Sequence, residues 1–143
     1  MIQGMIYSVV AGVMIVFQSV FNARLSERIG LWHSNAFVHG SGMLLALVIL
    51  LLVKRSIDFS KLGEIPPYYL LGGVFGVIII FSVMQGVTGL GASYAITIIV
   101  VTQILVSYFI NNFGIFGEQV IKASPDKIFG LVLMIIGLII YQL

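Results

Sequence analysis

The chain alternates long apolar blocks with short charged segments. No charged residue occurs between Leu31 and Val53, and none between Ile65 and Gly117. About 20 apolar residues in a helix cross a hydrocarbon core about 30 Å thick, and lipid offers no partner to backbone polar groups, so a spanning segment must satisfy its own. Five stretches read as spans: roughly Ile2–Asn22, Leu31–Val53, Pro67–Thr88, Gly91–Asn111 and Lys127–Tyr141. The pattern predicts an all-α membrane protein, one domain over residues 1–143 with five transmembrane helices. The fifth stretch is the shortest, a length that calls for slight mismatch or interfacial flanks. Pro66 and Pro67 stand where the third helix begins, and Ser124 and Pro125 where the fifth does; a proline costs nothing there, because its missing N–H would be unpaired anyway. Trp32, Tyr68, Tyr69 and Tyr141 fall near span ends, as an interfacial aromatic belt places them.

Composition sharpens this. Hydrophobic residues make up 60% of the chain and charged ones 8%, against roughly a quarter charged in an average soluble chain, and mean hydropathy is +1.18. A soluble globule, a disordered chain and a nucleic-acid binder are excluded. The net charge of +2 comes from 7 basic and 5 acidic residues without a block of like charge, so the charges serve as topology markers. Arg24 and Arg28 follow the first stretch; Lys54, Arg55 and Lys61 follow the second; Lys122 and Lys127 precede the fifth. Glu27, Asp58, Glu64, Glu118 and Asp126 weigh little in that rule. Most basic residues thus share the side of the N-terminus, which the positive-inside rule puts in the cytoplasm. Zero cysteines exclude disulfides and thiol chemistry. The first stretch lacks a basic leader and has the length of a span, so a cleaved signal peptide is not expected.

Polar side chains at membrane depth are costly and face a bundle interior, a partner or water. In the first helix Ala11, Ile15, Gln18 and Asn22 form one stripe, and Gly4, Ser8 and Gly12 an adjacent small-residue stripe suited to close helix packing. His39, with Asn35 one turn before it, is the one intramembrane group besides tyrosine able to titrate, and a neutral imidazole bonded to a carbonyl is the plain alternative. Gly72 and Gly76 have small-xxx-small spacing in the third helix. The fourth carries Ser93, Thr97, Gln103, Ser107 and Asn111, with Tyr94 as an aromatic face for a cationic or aromatic substrate. Serine and threonine can bond back to their own helix, whereas Gln103 at mid-membrane cannot easily do so. Gly130 and Gly137 share a face of the fifth helix, which reads as a packing or dimerisation helix. The Gly86–Gly91 run lacks the spacing and the preceding strand of a nucleotide loop and reads as a tight turn. Gln18, Asn22, His39, Tyr94, Thr97 and Gln103 are the expected substrate-pathway residues.

An odd number of spans carries a consequence. A second copy joined head to tail would enter the membrane upside down, as in the inverted repeats of transporters. Five helices then form half of such a machine, completed by a second chain, either an inverted copy or a paralogue.

The series Gln18, Asn22, Leu25, Gly30, Phe37 and Gly40, then Pro67, the run from Leu71 to Gly76, the Leu90, Gly91, Ala92 turn, Gln103, and the run from Asn111 to Gly117, resembles the YdcZ family of the drug/metabolite transporter superfamily. The resemblance covers nearly the whole chain. It implies one half of a ten-helix transporter and an inner-membrane exporter of a family working as pairs of five-helix units or as fused proteins. Small multidrug exporters of the same superfamily rely on an acidic residue in the first helix, where this chain has Gln18 and Asn22. That departure weighs against carboxylate-based proton coupling.

The function expected is a secondary exporter of a small metabolite or drug-like molecule, an antiparallel homo- or heterodimer operating by alternating access. A channel, a lipid-flipping subunit and a structural membrane partner are the alternatives. An enzyme is not expected, because the spans lack Asp, Glu and Cys for a nucleophile and base, and no cofactor, metal or nucleic acid is implied.

Overall fold

A computed structural model describes residues 2–54, 60, 63, 65–121 and 124–142. Arg55, Asp58, Lys61, Glu64 and Lys122, used above as topology markers, lie outside the described residues. The chain divides into two compact units, Met1–Gly89 and Leu90–Leu143.

The first unit holds α1 (Ile2–Ile29), α2 (Leu31–Lys54) and α3 (Gly72–Leu90), the last entered through a 3-10 turn at Pro67–Leu71. The second holds α4 (Ala92–Phe113), a 3-10 turn at Ile115–Gly117 and α5 (Pro125–Gln142). Among the described residues there is no strand. Four segments are long and apolar enough to cross a membrane: Ile2–Ile29, Leu31–Val53, Pro67–Leu90 and Ala92–Phe113. The protein is therefore an all-helical, multi-pass membrane chain.

Helix boundaries depart from the sequence expectation in three places. The first helix does not stop at Asn22 but runs to Ile29, 28 residues or about 42 Å at 1.5 Å per residue. Arg24 and Arg28 therefore lie on the helix and not in a loop. The Arg24 guanidinium donates to the Glu27 carboxylate at 3.0 Å, one turn on, an exposed pair that supports the charged end of the helix. The Gly86–Gly91 stretch is not a turn: α3 stays helical through Leu90, and Gly91 alone interrupts the chain before α4. The fourth helix extends to Phe113, two residues past the expected end. The proline starts hold, with the 3-10 turn opening at Pro67 and α5 at Pro125.

Gly30 is the sole residue between α1 and α2. Its φ of +85° suits glycine, its N–H donates to Ser26 O at 2.9 Å, and its carbonyl accepts from Ser34 N at 3.0 Å. The two helices fold back antiparallel, since Leu25 and Phe37 near the corner and Gln18 and Leu45 further along line one groove. Burial is inverted relative to a soluble core. The buried residues of α1 are Ser19, Asn22, Ala23 and Ser26, those of α2 are Ser34 and Asn35, and α3 adds Met84 and Val87, while Ile2, Leu52 and Val53 are among the many exposed aliphatics. Small polar side chains face inward and most aliphatic ones outward, the arrangement expected where lipid gives apolar groups nothing to flee and small residues let helices approach. The buried hydroxyls bond back to their own helices: Ser19 to Ile15 O at 2.6 Å, Ser26 to Ala23 O at 2.7 Å and Ser34 to Gly30 O at 2.9 Å.

In the second unit α5 runs antiparallel along α4. Lys127 shares a groove with Tyr108 at one end, and at the other the Ser93 and Tyr141 hydroxyls are 2.6 Å apart. Gly114 ends α4 in the left-handed conformation (φ +61°), donating to the Asn111 and Ile110 carbonyls, and Ile121 N returns to Asn111 O at 3.0 Å.

Candidate functional site

Three of the six expected pathway residues belong to the first unit. Gln18 and Asn22, one turn apart on α1, line a groove of about 410 Å³ with Leu25 from α1 and Val38, Ser41 and Gly42 from α2. Gln18 is exposed and Asn22 buried. Ser41 spends its hydroxyl proton on Val38 O at 3.1 Å, and a Cβ at Gly42 would meet nothing within 4 Å, so the groove floor is open backbone. Ser41 and Gly42 were not singled out from sequence. Their spacing from Val38 along one helical face is the signal that would have found them.

His39 does not join this groove. It stands on the opposite side of α2, with Trp32, Asn35 and Ala36, in a cavity of about 230 Å³ closed by Val77 of α3. Its Nδ1 lies 3.0 Å from Asn35 O; a carbonyl only accepts, so Nδ1 carries the proton in that bond. A Cβ built on Gly76 would sit 3.1 Å from His39 Nε2, so Gly76 is the seat of the ring. Asn35, noted from sequence only as the neighbour of His39, ties α2 to α3: its Nδ2 donates to Val77 O at 2.8 Å, while its Oδ1 is buried without a partner among the described residues. Trp32 stacks on Phe81 with centroids 4.8 Å apart.

Tyr94, Thr97 and Gln103 lie on α4. Thr97 Oγ1 donates to Ser93 O at 2.7 Å, satisfied within its own helix. At 100° per residue Gln103 stands about 120° round the helix from Thr97 and about 180° from Tyr94, so the three do not share a face. Gln103 is exposed at the middle of the helix. The groove between α4 and α5, about 460 Å³, is bordered instead by Ser107, Tyr108, Lys127 and Gly130 among others.

The residues expected to pack helices are variously placed. Ser8 bonds back to Gly4 O at 3.0 Å, and a Cβ at Gly4, Gly12, Gly72, Gly130 or Gly137 would meet nothing within 4 Å in this chain. Gly76 alone of the set is filled from within, by His39.

No curated protein and no solved structure matches the sequence. A family model does: the one described as "Putative inner membrane exporter, YdcZ" matches residues 3–140. Exporters are not an enzyme class, and the family and the spans together make this a multi-pass inner-membrane protein. The run from Asn111 to Gly117, the corner at Gly30 and the seat at Gly76 now have structural reasons, and with the match spanning nearly the full length the chain belongs to the YdcZ family of inner-membrane exporters.

Proposed function

We propose that this chain is a five-span half-transporter that exports a small polar or amphipathic molecule by alternating access, paired with a second chain of the same kind. The carrying observation is the α1–α2 groove, where the Gln18 and Asn22 amides meet the open backbone of Gly42. Amides at membrane depth are stable only against water, a polar solute or another helix. Gln103 supports the same reading from α4: an exposed amide about 16 Å from either end of a spanning helix is costly in lipid, so that face is where a second chain or the solute comes. His39, Tyr94 and Thr97 belong to the proposed pathway as lesser contributors, their hydrogen-bonding or placement being already committed locally. The glycine faces of α1, α3 and α5 are proposed as helix-packing faces, that of α1 open to the second chain and that of α5 turned toward the groove beside α4, which Gly130 borders.

The fifth span follows from α4. With Lys127 opposite Tyr108 and Tyr141 opposite Ser93, α5 accompanies α4 for about 22 Å, which supports a fifth crossing beside it. An odd count makes an antiparallel pair the natural complete unit, either an inverted copy or a paralogue. With a paralogue as partner the basic residues place this chain's N-terminus in the cytoplasm, whereas an inverted copy stands the other way up.

The test compares small molecules released by cells producing the chain with those released by cells producing Gln18→Leu at equal membrane level. Release of a defined compound that Gln18→Leu lowers at least tenfold supports the reading; identical profiles overturn the groove as the path. Trans-stimulation of that compound in proteoliposomes separates a transporter from a channel.

A further inference from the structure

We propose that the groove between α4 and α5 holds one anionic phospholipid, with its phosphate on Lys127 and an acyl chain laid along Leu131 and Met134. The occupant is a bound lipid, not the exported solute, and its groove is separate from that between α1 and α2.

Lys127, Gly130, Leu131 and Met134 follow one another along a single face of α5 at steps of three, one and three, opposite Ile104, Ser107 and Tyr108 of α4. The wall is therefore graded. A cation stands at one end, in the first turn of the helix, and about 10 Å of apolar surface leads away from it. Gly130 opens the middle: a Cβ there would meet nothing within 4 Å, and the helices leave about 460 Å³ between them. Tyr108 lies about 7.5 Å in from the end of α4, and its hydroxyl is buried without a hydrogen-bond partner among the described residues. A donor left unpaired in this way is costly, and a headgroup or ester oxygen at that depth would satisfy it. Asp126, next to Lys127, does not border the groove, so the anionic headgroup meets one cation and no carboxylate there. Charge at the boundary, an orphan hydroxyl just below it and an apolar trough below that match the order of groups in a phospholipid. A water-soluble phosphate would leave the trough empty.

The experiment is native mass spectrometry of the full chain in neutral detergent with added phosphatidylglycerol or phosphatidylcholine. The wild-type chain is expected to retain phosphatidylglycerol about five-fold better, the worth of one lysine near an anionic headgroup. Lys127→Gln should remove that advantage and Lys127→Arg keep it. Gly130→Leu, which fills the trough and leaves the charge, should lower retention of both lipids, and Arg28→Gln, outside the groove, should change nothing. An advantage that persists in Lys127→Gln overturns the proposal. So does displacement of the lipid by millimolar glycerol phosphate, which would make the groove a site for a soluble anion.

Discussion

At Gly114 one hydrogen atom in place of a side chain decides how α4 ends. Its φ of +61° is strained for any other residue, and a Cβ there would lie 2.8 Å from Val120 Cγ2. Gly114→Ala is expected to destabilise the second unit by about 1–2 kcal/mol, read as a lowered midpoint of thermal unfolding in detergent. Gly76 is a different case. Its spacing from Gly72 suggested helix-to-helix contact, and the space is taken by an imidazole of α2 from 37 residues earlier, a partner that local spacing cannot name. The amides were legible because a polar group in an apolar block stands out; which of them share a cavity was not, since that depends on how neighbouring helices rotate. Gln103→Leu is expected to abolish export while leaving membrane insertion and helicity intact. Full activity in that variant would remove α4's amide from the pathway.

Among the elements, the apolar blocks revealed all five helices, and the errors fell at their ends. Charges at Arg24, Glu27 and Arg28 read as a loop because a charged residue cannot enter hydrocarbon. A helix can continue past the hydrocarbon, though, and here an ion pair one turn apart helps it do so. The glycines between Gly86 and Gly91 misled in the opposite sense: glycine is common inside membrane helices and breaks them less than in water. Contacts between helices were the least legible, because they rest on single polar atoms. The Asn35 amide reaching Val77 O is one such contact, and Asn35→Ala is expected to cost about 1 kcal/mol, measured by thermal unfolding of the full chain. The Ser93–Tyr141 pair is another, and Tyr141→Phe should cost about 0.5–1.5 kcal/mol by the same measurement.

For the whole chain the number of crossings is the decisive quantity. Composition alone established a membrane protein, and the order of its motifs established the family, whereas the partner chain and the sidedness are properties of an assembly that one sequence does not contain. Reporters fused to the two ends of one molecule are expected on opposite faces of the inner membrane, the N-terminal one in the cytoplasm with a paralogous partner and on both faces with an inverted copy. Both ends on one face would mean four crossings and an α5 that does not span. The corner at Gly30 limits how such an exporter moves. A helix slipping one turn past its neighbour travels about 5.4 Å, more than the roughly 3.8 Å between successive Cα atoms, and a one-residue joint has no slack to absorb it. In the alternating access proposed above, α1 and α2 therefore do not ratchet past one another by a turn, and a change of that size that exposes a solute to one side and then the other is expected elsewhere along the chain.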